Sequence, residues 1–210
     1  MKLYLTIIFC CVMVITPIVD FTFDVGYVYA LAHVLFAVIL VIAADGIVAG
    51  AARALPKACA KHDAKIYTVS AKEKKFYEKL KIRKWKDKIP EIGHFTGFRK
   101  NKILDPKSVE YVERYLLEAC YGQIGHLVGI FFGFIILLAY PLAEIWFAVS
   151  IPVAIINIFF CIPSIFVLRY NSYKLEILLK SNQKRAEKQR MQPVQQELDV
   201  LAITEEHVII

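Results

Sequence analysis

The chain has 210 residues, 58% of them hydrophobic and 21% charged, with a net charge of +7. That composition excludes a disordered chain and a disulfide-stapled miniprotein. Of the 26 Lys and Arg residues, 17 lie between Arg53 and Lys107 and seven between Arg169 and Arg190, while the apolar residues fall in long blocks elsewhere. Such segregation reads as a membrane protein with basic surfaces on one side, not as a nucleic-acid binder.

The first block, Leu3 to Val19, holds 17 residues without a charge. As a helix it spans about 26 Å, enough for a slightly thin bilayer. Lys2 and this run resemble a signal peptide, but no small-x-small cleavage site follows and the next block begins a few residues on. An uncleaved anchor is expected. The second block, Val25 to Ala44, has 20 residues and spans about 30 Å. The third runs from near Ile124 to Leu142 and the fourth from Ile145 to Leu168, with Tyr140 to Glu144 as the break between them. The turns Asp20–Asp24 and Tyr140–Glu144 carry no basic residue. Both termini and the central segment are therefore expected in the cytoplasm of a multi-pass cell-membrane protein. The expected fold is all-α: four transmembrane helices in two hairpins, with a basic interfacial subdomain between them. The segments are 1–55, the first hairpin; 56–118, the basic segment; 119–168, the second hairpin; and 169–210, a tail that is basic and then acidic.

In the basic segment, Ser70-Ala-Lys-Glu73 has capping-box spacing and predicts a helix over Ala71–Leu80. Phe76, Tyr77 and Leu80 lie on one side of it among lysines, as in a helix resting on an anionic leaflet. Next come Lys81 to Pro90, where Trp85 is flanked by cations. Two readings stand for these cations: attraction to lipid headgroups, or binding of a phosphorylated or nucleotide-bearing donor. Glu91 to Leu104, rich in glycine and aromatics and containing His94, reads as a loop. Asp105-Pro106 has the form of an N-cap followed by a first helical proline, opening a helix that runs on into the third span. The tail is expected to begin as a basic helix over Ser172–Gln189. From Met191 it turns acidic and is expected to be disordered or loosely docked.

Within the spans, Gly125, Gly129 and Gly133 recur every fourth residue, as do Gly46 and Gly50. This spacing suits close helix packing in lipid and leaves room for a helix-mediated oligomer. Asn157 and His33 are expected to bond across helices. Asp45 and Arg53 are two turns apart near the cytoplasmic boundary; they could pair with each other, or either could meet Arg169, and a functional role and a structural ion pair explain them equally well. Cysteines 10, 11, 59, 120 and 161 form no metal-ligand or disulfide spacing, and no metal site is expected. His126 is the candidate that carries chemistry. It lies one turn from Gln123 and two from Glu118, at the inner edge of a span. A hydroxyl attacking an ester or thioester carbonyl needs a base of this kind, and Glu118 would orient the ring as a third group does in a triad. The bland alternative is an interfacial histidine bonded to a neighbouring helix. Arg169, closing the fourth span, suits either snorkelling to headgroups or bidentate binding of a phosphate.

Taken in order, Arg83-Lys84-Trp85-Lys86-Asp87-Lys88-Ile89-Pro90, Glu118 with His126, and Arg169-Tyr170-Asn171 with Lys174-Leu175 resemble the glycosyl-4,4′-diaponeurosporenoate acyltransferase family over roughly Arg53 to Lys180. In the family pattern Glu stands where this chain has Gln123, and Asn where it has Cys161. The resemblance implies transfer of a fatty acyl chain to a hydroxyl of a lipid-like acceptor, such as a glycosylated carotenoid or glycolipid. It implies no cofactor, only acyl-CoA or acyl carrier protein as co-substrate. His126 would be the base, with Glu118 or Gln123 orienting it. Arg83, Lys84, Lys86 and Arg169, beside Tyr170 and Asn171, would bind the anionic donor or a headgroup, and Trp85 with the spans would hold the acyl chain. The rival reading is a non-enzymatic lipid-binding or helix-packing subunit of a membrane complex.

Overall fold

A computed structural model describes residues 2–89, 103–139 and 144–208, with side chains over 3–89, 103–139 and 144–193. The apolar blocks form helices because each is long and uninterrupted, and in lipid a backbone must satisfy its own hydrogen bonds. α1 (Lys2–Phe23) and α2 (Tyr27–Ala54) make the first hairpin. Its turn is tight: Asp24 has φ 51° and Gly26 φ 88°, and at Gly26 the missing Cβ removes the strain. The basic segment supplies a 3₁₀ turn (Lys57–Ala60), α3 (Ala71–Lys79), α4 (Ile82–Trp85) and a further 3₁₀ turn (Lys86–Lys88). α5 (Val109–Phe132) continues as a 3₁₀ turn, Gly133–Leu138, and α6 runs from Glu144 to Val208. The described residues are all-helical, and four of the helices are long and apolar enough to cross a membrane.

Three local expectations change. Asp105 does not cap α5. Its Oδ1 accepts from the backbone N–H groups of Lys107 (3.3 Å) and Ser108 (3.2 Å), closing a small turn. Ser108 is the N-cap, accepting from the Tyr111 N–H at 3.1 Å. Secondly, Arg169-Tyr170-Asn171 does not end a helix: α6 passes through it unbroken for 65 residues, about 98 Å at 1.5 Å per residue and some three times the hydrocarbon thickness. Thirdly, the acidic end expected to be disordered continues α6 as far as Val208. The Glu91–Lys102 part of the expected loop, with His94, and the Tyr140–Ala143 part of the expected break lie outside the described residues.

Two kinds of core hold the bundle. At the end remote from the basic segment, Val12, Ile15, Val34, Ala37, Val149 and Val153 pack around Trp146, which is fully buried. The Trp146 indole N–H donates to the Ile136 carbonyl at 2.9 Å and so satisfies a backbone group of the 3₁₀ turn. At the basic end, Val112, Tyr115 and Leu116 of α5 pack on Leu175 and Leu179 of α6. There the Asn182 amide also donates to the Pro106 carbonyl at 2.9 Å. Polar anchors tie down the basic segment: the Tyr121 hydroxyl donates to the Leu55 carbonyl at 2.9 Å, and that of Tyr67 to the Cys59 carbonyl at 2.8 Å.

The glycine stripes divide by function. A Cβ on Gly125 would rest 3.6 Å from the Ala49 backbone, the close helix approach the spacing implies. A Cβ on Gly129 would lie 2.8 Å from Asp45 Oδ1, and one on Gly133 2.8 Å from Asn157 Nδ2. These two glycines make room for polar side chains. Gly46 and Gly50 face open space, not a neighbouring helix. Gly129→Ala should therefore displace Asp45 and cost about 1–3 kcal/mol. Gly50→Ala should be neutral or stabilise by up to about 1 kcal/mol through helix propensity alone. Thermal unfolding of the detergent-solubilised protein checks this. Equal effects at the two positions would contradict the assignment.

Candidate active site

All four long helices line one cavity of about 590 Å³. Along α2 it runs from Val34 to Arg53, about 28 Å at helical rise and close to the thickness of a bilayer core. Its deep walls are apolar: Ile15, Val34, Val38 and Val153. Towards the basic end the walls acquire polar groups in a definite order. Asp45 and Asn157 come first, then His126, then Arg53 with Glu118, and Ile89 from the basic segment lies on the wall as well.

His126 faces this cavity, as a catalytic base must. Its expected orienting partners are committed elsewhere. Glu118 is eight residues away, about 12 Å along the helix axis and beyond hydrogen-bond reach. Its carboxylate instead accepts from Arg53 Nε at 3.2 Å, an ion pair that ties α5 to α2 across the cavity mouth. Arg53 also donates to the Ala49 carbonyl at 3.0 Å. Gln123 turns away from His126: its Oε1 accepts from Arg169 Nη1 at 3.1 Å. Asp45 and Arg53 do not pair. Asn157 bonds across helices as expected, donating to Asp45 Oδ1 (3.3 Å) and to the Gly129 carbonyl (3.4 Å). His33 does not: its Nδ1 lies 2.9 Å from the Tyr29 carbonyl of its own helix.

Arg169 is not a free phosphate clamp. A guanidinium has five N–H donors, and all five are engaged by protein. Nε donates to Glu73 Oε1, and Nη2 to Glu73 Oε2 (3.0 Å) and the Thr68 carbonyl (3.3 Å). Nη1 donates to the Ile66 carbonyl (2.7 Å) and to Gln123 (3.1 Å). The capping-box spacing opens α3 as expected, and Glu73 does more than cap. The Ser70 hydroxyl accepts from the Glu73 N–H at 3.1 Å, while the Glu73 carboxylate reaches Arg169 and the Tyr77 hydroxyl. The Arg169 guanidinium holds the Glu73 carboxyl below its usual range, and burial with the adjacent carboxylate pushes the Tyr77 phenol up.

The other landmarks join the same structure. Arg83 Nε donates to the Tyr170 hydroxyl at 2.7 Å, and Tyr170 is fully buried with Val69, Tyr77, Ile82 and Val167. Trp85 packs against that cluster and donates to the Leu80 carbonyl at 2.9 Å. It is a docking residue and does not line the cavity. Lys86 pairs with Asp87 at 3.1 Å, Lys84 is exposed, and Asn171 is half-buried on the helix that carries Arg169. Of the expected site residues, His126 and Glu118 reach the cavity, while Arg83, Trp85, Gln123, Arg169 and Tyr170 form a latch beside it. Asp45 and Arg53, which the sequence offers evenly as a structural ion pair or as functional groups, and Asn157, expected only as a cross-helix bond, stand on the cavity wall. The signal for Asp45 is an acidic residue at the edge of an apolar span.

A family model for glycosyl-4,4′-diaponeurosporenoate acyltransferase matches residues 63–181, more than half of the chain. The chain belongs to that family. No curated protein and no solved structure matches it. The chain is thus an acyltransferase of carotenoid biosynthesis with four candidate membrane helices. The matched stretch coincides with the latch and the second hairpin: it holds Glu73, Arg83, His126, Arg169 and Tyr170. The first hairpin, which contributes Asp45 and Arg53, lies outside it.

The latch makes two predictions. Arg169→Lys replaces a five-donor fork with a point charge and should cost about 2 kcal/mol, allowing for partial solvent screening, with faster proteolysis across 61–80. Gln123→Glu, which offers Arg169 a second carboxylate and removes the buried, unpartnered Gln123 Nε2, should leave the protein intact. Unchanged proteolysis of the lysine variant would contradict the latch. The second prediction concerns acid. Because the folded Glu73 pKa is below its reference of 4.5, the latch contributes fully above that value and is lost as pH falls below it through the folded pKa. Proteolysis of the same segment should therefore rise below pH 4.5 in the wild type, and this rise should be absent in Glu73→Gln.

Proposed function

We propose that the protein transfers a fatty acyl chain to a sugar hydroxyl of a glycosylated carotenoid, with His126 as general base at the basic end of the cavity. One observation carries this reading: an apolar cavity of bilayer length carries an imidazole on its wall and the Arg53–Glu118 pair across its polar mouth. The deep wall suits a polyene or acyl chain. The mouth suits the polar groups that react.

The chemistry balances with the chain's own residues. Neutral His126 takes the proton of the acceptor hydroxyl as that oxygen attacks the carbonyl carbon of an acyl thioester. Arg53 spends one N–H on Glu118 and one on Ala49, which leaves donors for the oxyanion that develops on the carbonyl oxygen. Collapse breaks the carbon–sulfur bond, and the imidazolium returns the proton to the departing sulfur. The donor would be acyl-CoA or acyl carrier protein, both anionic. The exposed Lys84 and the neighbouring cations of the basic segment would attract it. With the basic segment and both termini on the cytoplasmic face, donor and mouth share one compartment.

Untargeted lipid mass spectrometry of cells carrying the wild type, His126→Ala or empty vector tests the reading. We expect an acylated glycolipid-type product in the wild type alone, with the alanine variant reduced by about 10²-fold or more. Equal product from wild type and variant would remove His126 from the mechanism. A product profile matching empty vector in every strain would remove the reading itself.

A further inference from the structure

We propose that Asp45 and Asn157 form a sugar-binding subsite inside the membrane, one helical turn deeper than His126, that restricts the acceptor to glycosylated lipids. The inference rests on the reading of the cavity as the acyl-acceptor site and names the group that selects the acceptor there.

Asp45 sits on the cavity wall among apolar residues. Its Oδ1 is met by the Asn157 amide at 3.3 Å, and Oδ2 has no hydrogen-bond partner among the described residues. A carboxylate offers about four acceptor positions, and leaving them unused in an apolar span is costly. Oδ2 is therefore open to a hydroxyl at this depth, and two glycines make the room that holds the pair in place. Gly129 and Gly133 stand opposite the pair, where a Cβ would collide with Asp45 Oδ1 and Asn157 Nδ2. The Cys161 thiol, 3.8 Å from Asn157 Oδ1, holds the amide orientation.

Depth identifies the ligand class. Gly129 is level with Asp45 and lies three residues beyond His126 on α5, about 4.5 Å along the axis. One sugar ring fills that interval, with a hydroxyl at His126 and others at the Asp45–Asn157 pair. Both N–H groups of the Asn157 amide are held by Asp45 Oδ1 and the Gly129 carbonyl, so Asn157 aims the carboxylate and the sugar hydroxyls donate to Asp45 Oδ2, bonds that strengthen in low dielectric. From Asp45 to Val34 the cavity continues about 16 Å deeper between apolar walls, which is room for the lipid tail. An acceptor that lacks the sugar would leave Asp45 Oδ2 without a hydroxyl, and a site built to bond hydroxyls rejects such an analogue strongly. Asp45 belongs to the hairpin outside the family match, so the first hairpin supplies the carboxylate that meets the sugar.

The test reads binding without acyl transfer. Full-length protein in lipid nanodiscs is labelled with a photoreactive dodecyl β-glucoside, and unlabelled dodecyl β-glucoside and dodecan-1-ol compete. Wild type should favour the glucoside over the alcohol by at least about tenfold, the value of one charge-assisted hydrogen bond. Asp45→Asn keeps an acceptor for Asn157 and so keeps the helix bridge. It should lose that preference by about tenfold while its alcohol affinity stays unchanged. Asp45→Ser, smaller and also neutral, should behave alike and serves if the first variant does not fold. A preference retained within twofold in the variants overturns the proposal. So does an equal loss for both probes, which would assign Asp45 to helix packing, and so does a wild type with no preference. Failure of acyl transfer with the preference intact would instead sink the acyltransfer reading and leave the subsite standing.

Discussion

The structure depends on one saturated cation. Arg169 occurs in the middle of an unbroken helix, and its five donors reach four other places in the chain: Ile66, Thr68, Glu73 and Gln123. A partly buried guanidinium is destabilising unless every donor is met, and here every donor is met. The consequence is positional. Arg169 fixes α3 against α6, Arg83 fixes α4 through Tyr170, and Gln123 fixes the rotation of α5. That rotation sets where His126 points.

The chain is thus assembled from two parts with different work. The latch and second hairpin, which the family match covers, make a rigid frame that presents the imidazole. The first hairpin closes the frame into a cavity and brings Arg53 and Asp45 to its wall. The Arg53–Glu118 pair joins the two parts at the mouth, and the Asp45–Asn157 bond joins them deeper down. Charge placed at the mouth and an apolar wall below it suit a reaction whose substrates are polar at one end and lipid at the other.

Much of this was legible in the residues. Four uncharged runs and their basic flanks fix four helices, because helix length and bilayer thickness share one scale. The capping-box serine at position 70 and the cross-helix bond of Asn157 also follow from local chemistry. What spacing does not carry is direction. Glu118, Gln123 and His126 are neighbours in sequence, yet they leave α5 at different angles and meet different helices. Arg169-Tyr170-Asn171 looks like a basic stop because charge usually ends a span. Here long-range partners neutralise Arg169, and the helix continues. The glycine at 129 reads as helix packing until Asp45, 84 residues earlier, is seen to occupy its space.

The most direct measurement is photo-cross-linking with a diazirine-bearing fatty acyl-CoA, followed by peptide mapping of the full-length protein in a bilayer. If the cavity is the acyl-transfer site, adducts fall on its wall, on α2 between Val34 and Arg53 and around Gly122–His126 of α5. Competition by unlabelled acyl-CoA then removes them. Adducts confined to lipid-facing residues such as Phe21, Phe131 and Phe159, and indifferent to competitor, would contradict the account.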